Sequence, residues 1–193
     1  MFVDNFIHLN KQYGWYYSLS IEQDYRLNDK ISFGYQFSSA PHFNEVGYTD
    51  IINDDSVIFA KRNRNTIENI VNLKYSFNNK MFITARVRHY WSTVDNAEFY
   101  TLRDDGYIDP NHNYATNKNQ NVNIFNVDMV YSWRFSPGSE LSIVWKNSVY
   151  DDISEIRKGY FNNLDQTFSA PQNNTISFKI LYYIDYLKLK RNR

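Results

Sequence analysis

Apolar and polar residues alternate one for one through seven segments of this chain. The clearest is Asn121 to Phe135. Its odd positions read Asn, Asn, Phe, Val, Met, Tyr, Trp, Phe, and its even positions read Val, Ile, Asn, Asp, Val, Ser, Arg. A period of two sets these groups on opposite faces of a β-strand. The same pattern predicts strands over Tyr13–Arg26, Lys30–Ser39, Met81–Thr93, Glu140–Val149 and Asn174–Leu187. A further strand starts near Val57, with strong alternation from Ile67 to Phe77. Turns are expected at Leu27–Lys30, at Asn78-Asn79, where Asn tolerates positive φ, and at Ser136-Pro137-Gly138-Ser139. The remaining connections, about 40–56, 95–120 and 150–172, read as long loops.

Short turns on one side and long loops on the other are the wiring of a transmembrane β-barrel. Each segment is long enough to cross a bilayer as a tilted strand, which takes about 9–11 residues. The aromatics sort by height. Tyr25, Tyr75, Phe77, Tyr131, Trp133, Phe135 and Tyr186 lie near the short-turn end, and Tyr13, Trp15 and Trp91 near the long-loop end. Two interfacial girdles account for that sorting, which a soluble β-sandwich does not need. The expected fold is therefore all-β, an antiparallel transmembrane β-barrel. Composition agrees: aromatics make up 18% of the chain while the mean hydropathy is −0.62. Aromatics facing lipid, with polar residues in lumen and loops, explain both values.

Given sides, the connections imply more. If the short turns are periplasmic, the last strand descends and so does the first, which leaves residues 1–12 outside the cell. A bacterial barrel has an even strand count and starts in the periplasm. The N-terminal run MFVDNFIHLNKQYGW has no basic region, apolar stretch or cleavage site of a secretory signal. The expectation is the C-terminal part of a longer barrel, forming residues 1–193 as one domain. The alternative is that residues 2–9 supply an eighth strand and close a small barrel.

Charge and composition exclude other classes. The 21 basic and 21 acidic residues cancel, so no polybasic field argues for nucleic acid. No run of 18 apolar residues makes a transmembrane helix. There is no cysteine, which removes disulfides and thiolate metal sites. His8, His42, His89 and His112 are scattered, so no metal centre and no cofactor are expected.

The polar faces supply the candidate lumen lining: Lys74, Arg86, Arg88, Asp128, Lys146 and Lys179. Two readings compete. Arg86, Arg88 and Lys74 form an anion-selective wall, or they pair with inward acids such as Asp128. The girdle candidates are Trp15, Tyr25, Tyr75, Trp91, Tyr131, Trp133 and Tyr186. His89 falls on the lipid-facing set, where it reads as a girdle residue meeting headgroups. A membrane-embedded hydrolase would need a nucleophilic Ser beside it, and HisxTrpxThr offers none. No catalytic residue is assigned, and the chain is read as not an enzyme. The loop RDDGYIDPNHN has oxygen ligands without the spacing of an EF-hand, so a solvated turn is the reading set beside Ca²⁺. Asn173-Asn174-Thr175 matches a glycosylation sequon, which carries little weight in a bacterial chain. Long loops rich in Asn, Tyr and Asp could hold a glycan, or be ordinary surface.

The runs NIVNLKYSFNNKMFITARVRHYWST, FNVDMVYSWRFSPGSELSIVWKNS and TISFKILYYIDY resemble the C-terminal barrel region of an uncharacterised outer-membrane family of Bacteroidota-type bacteria. The resemblance covers most of Thr66 to Tyr186. It implies an outer-membrane location in a Gram-negative bacterium and an N-terminal module similar to family 9 carbohydrate-binding domains, absent from this chain. It also implies the lipid bilayer and the barrel-assembly machinery as partners, with glycans reached through that module. The usual terminal aromatic of the assembly signal is displaced, since Tyr186 is followed by LKLKRNR. The functional expectation is a channel or uptake component linked to glycan use. The alternatives are a non-transporting barrel that anchors the module, and a membrane-embedded hydrolase.

Overall fold

The computed structural model describes residues 2–53 and 55–184, apart from 11–13; for residues 2–10 only the side chains of Asp4 and Ile7 are described. It is an all-β chain with one short helix. The elements are β1 (Phe2–Asn10), β2 (Gly14–Arg26), β3 (Ile31–Ser39), β4 (His42–Ile52), β5 (Ser56–Ser76), β6 (Met81–Leu102), β7 (Ile108–Pro110), β8 (Gln120–Ser136), β9 (Ser139–Ile153), α1 (Tyr160–Ser169) and β10 (Gln172–Leu181). One antiparallel sheet holds every strand. Its path runs β1-β2-β3-β5-β6-β8-β9-β10, with β4 paired to β2 and β5, and β7 to β6.

The predicted strands of the lower sheet pair in unbroken register. Met81 to Val94 pairs without a break against Gln120 to Trp133, and Ile31 to Ser39 against Ile67 to Tyr75. The two Asn turns are built alike, by side chains. Asn28 Oδ1 accepts from the Lys30 and Ile31 amides at 2.8 and 3.0 Å, and Asn78 Oδ1 accepts from Lys80 and Met81 at the same distances. Asn78-Asn79 is thus part of a four-residue turn, and neither residue has positive φ. The Asx bond closes the turn without left-handed backbone. Between β8 and β9, Pro137-Gly138 makes the expected tight turn, with Gly138 at φ 72°.

Four expectations are corrected. Residues 2–10 form a strand paired to β2, with Val3 opposite Ile21. The segment 40–56 is mostly strand β4, not loop. Its alternation is hidden because two register shifts, at His42/Glu45 and Tyr48/Asp50, each turn the pattern over. Strands β5 and β6 extend to 21 and 22 residues, about twice a membrane crossing. Their upper halves join β4 and β7 in a small projecting sheet, over which Asn111–Asn119 folds back. The segment 150–172 contains helix α1.

Both faces of the long sheet stay largely open. Among the described residues, the buried apolar side chains are Ile58, Ala60, Ile70, Trp91 and Val149. Large apolar groups remain exposed along one face, including Leu73 and Trp133 at 40% and Phe178 at 70%.

Candidate functional site: the charged face of the sheet

Register places the polar alternants of seven strands in continuous rows. One row crosses Asp24, Gly34, Asn72, Arg86, Asp128, Lys146 and Thr175. The row nearer the short turns holds Arg26, Ser32, Lys74 and Thr84, and the row beyond holds Glu22, Gln36, Ile70 and Arg88. Residues two apart on one strand, or directly opposite on the next, lie about 5–7 Å apart, so these charges feel one another.

The ion pairs divide the cations into two groups. Arg88 Nε binds Glu68 Oε1, and Lys146 Nζ lies 3.4 Å from Asp128 Oδ1. Gln36 Nε2 donates to Glu22 Oε1 at 2.7 Å. Asp128 stands opposite Arg86 in register yet pairs with Lys146. Arg86 and Lys74 have no carboxylate within 4.0 Å among the described residues, and the Lys74 ammonium lies over the Phe82 ring at 5.9 Å. Both line a groove of about 580 Å³ with Asp24, Ser32, Asn72 and Thr84. Lys179 stands opposite Ser142 on the same face, away from this groove. Of the six lining candidates, then, Arg88, Lys146 and Asp128 are paired, whereas Lys74 and Arg86 face the groove with no ion-pair partner among the described residues.

On the opposite face, Tyr25, Phe33, Leu73, Ala85, Met129, Trp145 and Ile176 make one apolar row. Toward the short turns, Tyr75 meets Phe77 edge-on at 4.8 Å, Phe77 approaches Tyr131 at 6.4 Å, and Trp133 packs on Phe135 at 5.6 Å. At the other end Trp15 stacks on Phe43 at 4.1 Å. Tyr186 lies outside the described residues.

Two expectations on this face change. His89 and Trp91 have the expected parity but are 3% and 7% exposed, because α1 covers them. The Tyr160 hydroxyl accepts from Asn69 Nδ2 at 3.0 Å and sits 2.9 Å from His89 Nδ1. It therefore donates to Nδ1, and Nε2–H faces Asn123 Oδ1 at 3.4 Å. Asn163 of α1 exchanges bonds with Asn123 at 3.0 and 2.5 Å, and Trp91 Nε1 donates to Asn121 Oδ1 at 2.6 Å. His89 is thus a link in a buried amide network rather than a headgroup contact, and its hydrogen-bond partners among the described residues, Tyr160 and Asn123, include no Ser or carboxylate. Sequence reasoning missed this cluster because Tyr160 lies 71 residues from His89.

The projecting sheet carries its own charges. Glu45 binds Arg62 at 3.4 Å and Arg64 at 3.1 Å, with His42 at 3.9 Å. Burial, then Arg64, lowers the His42 pKa, and Glu45 only partly opposes this. Tyr114 OH donates to Asp50 at 2.6 Å, and Lys118 pairs with the same carboxylate at 3.0 Å. Burial and the Asp50 bond push Tyr114 up to about 12, while the Tyr114 bond, then Lys118, hold Asp50 below its ordinary value.

The family described as "Domain of unknown function (DUF5916)" matches residues 3–193, and the chain belongs to it. No curated protein and no solved structure matches the chain.

Proposed function

We propose that this DUF5916 chain is a wall segment of an outer-membrane β-barrel whose charged face lines a water-filled passage. The observation that carries the reading is the two-faced sheet: one face apolar and uncovered, the other charged and ordered in rows. In water, so large an exposed apolar face marks an interaction surface. A bilayer covers it without a second layer of protein. Row spacing fits that solvent. From the row of Phe77, Met81 and Trp133 to the row of His89 and Phe125 is eight residues, about 27 Å along a strand or about 21 Å after a 40° tilt. That compares with an apolar band about 25 Å tall. The projecting sheet then stands clear of the lipid.

Lys74 and Arg86 give the passage a local anion preference, since free lumen cations tune selectivity. The link to glycan use rests on the family resemblance and its carbohydrate-binding module. The test is conductance of the full-length protein in planar bilayers. Steady single-channel currents with anion preference, reduced in Lys74→Gln/Arg86→Gln, are expected. Stable insertion without conductance favours the anchoring alternative. Failure to insert at all overturns the barrel.

A further inference from the structure

Helix α1 is inside out for a helix in water. Its sheet-facing side chains are Tyr160, Asn163 and Thr167, of which Asn163 and Thr167 are fully buried. Its apolar residues Phe161, Leu164 and Phe168 recur at i, i+3 and i+7 and so form one stripe along a flank. Phe161 is 82% exposed and Phe168 is 46% exposed. A helix docking on a sheet in water does the reverse, burying its aromatics and exposing its amides.

The orientation of that stripe is fixed by contacts. Asn163 reaches up to Asn121 and Asn123, toward the projecting end of the sheet. Phe168 meets Phe125 edge-on at 4.9 Å, in the row that tops the apolar band, and Tyr160 meets His89 in the same row. The Phe161–Phe168 flank therefore points down toward the apolar rows. The position is held at both ends: Arg157 Nη1 donates to Asp151 at 2.6 Å ahead of the helix, and Gln172 Nε2 donates to the Phe168 carbonyl at 2.8 Å after it.

We infer that α1 is an interfacial helix that seats Phe161 and Phe168 in the bilayer boundary while its amide face seals the polar upper part of the outer sheet face. The inference rests on the barrel reading above. The occupant of the flank is lipid, because the stripe continues the apolar rows of the sheet and meets the height where aromatics anchor. Without the helix, Asn69 Nδ2, His89 Nδ1 and the Nδ2 groups of Asn121 and Asn123 would lose the partners that α1 supplies at the headgroup boundary.

The chain has no cysteine, so single labels are unambiguous. The full chain is refolded into phosphatidylcholine vesicles with a nitroxide at Phe161→Cys, at Gln166→Cys on the polar side, or at Leu73→Cys in the apolar row. Collision with oxygen, which concentrates in lipid, is compared with collision with a water-soluble nickel chelate. Oxygen should dominate at 73 and 161, and the chelate at 166. Oxygen at 73 with chelate at 161 overturns the helix inference and leaves the barrel standing. Chelate at all three sites overturns both. An immobilised label at 161 that neither reagent reaches means a protein surface covers the flank, and also overturns the inference.

Discussion

Tyr160→Phe probes how α1 is held. The substitution keeps the ring, its packing near Trp91 at 6.1 Å and its edge contact with His89 at 5.3 Å. It deletes one oxygen that serves two partners, half-buried Asn69 Nδ2 and buried His89 Nδ1. A buried polar group left unpaired costs about 1–3 kcal/mol, so two give about 2–4 kcal/mol after partial relaxation. At 1.36 kcal/mol per decade, the opening equilibrium of α1 should rise by about 30- to 900-fold. The assay is native-state hydrogen exchange of the Asn163 and Ala170 amides, bonded to Gly159 and Thr167 carbonyls. Ladder amides of Ala85 and Val87 in the wall serve as the reference and should not change. A rise below about 3-fold at the helix amides would refute the reasoning, because it would mean less than about 0.7 kcal/mol was lost.

Two further outcomes follow from the projecting sheet and the turns. Burial, then the Asp50 bond, raises Tyr114 to about 12, so the stability tied to its protonated form is complete below the ordinary Tyr value near 10 and is lost as pH rises through about 12. In a phenolate absorbance titration, Asp50→Asn should move one tyrosine back toward 10; an unchanged curve rejects the pairing. Gly138→Ala forces an L-residue to φ 72° and brings a Cβ to 2.9 Å from the Tyr183 Cβ. It should cost about 1–2 kcal/mol in urea unfolding of the refolded protein, and an unshifted midpoint would show that the turn relaxes freely.

The lower sheet was legible in the sequence because its two faces differ in polarity. From Met81 to Val87 and from Val127 to Trp133, each face has one environment, so alternation reports it directly. Legibility failed where that condition fails. Arg62-Asn63-Arg64-Asn65 is polar at every position, since in the upper part of β5 both faces meet polar surroundings. In β4 the two register shifts scramble parity. The Phe161, Leu164, Phe168 spacing did carry a helical signal, but a ten-residue stretch between long loops gives it little length. For His89 and Trp91, parity named the correct face. What covers that face comes from a segment about 70 residues on, which no local pattern encodes. Lys74, Arg86, Arg88, Asp128, Lys146 and Lys179 fall on one face of the sheet, as parity alone implies. Which cations stay free was decided by Asp128 choosing Lys146 over Arg86, both of them its cross-strand neighbours.

The most direct test of the account is a single-cysteine spin-label scan of the full chain in vesicles, from Ile83 to Arg88 on β6. Oxygen accessibility should peak at 83, 85 and 87, and chelate accessibility at 84, 86 and 88, in strict period two. That result means one face of the wall meets lipid and the other meets water. A profile without the period, or with chelate reaching both sets alike, would contradict the membrane-spanning wall itself.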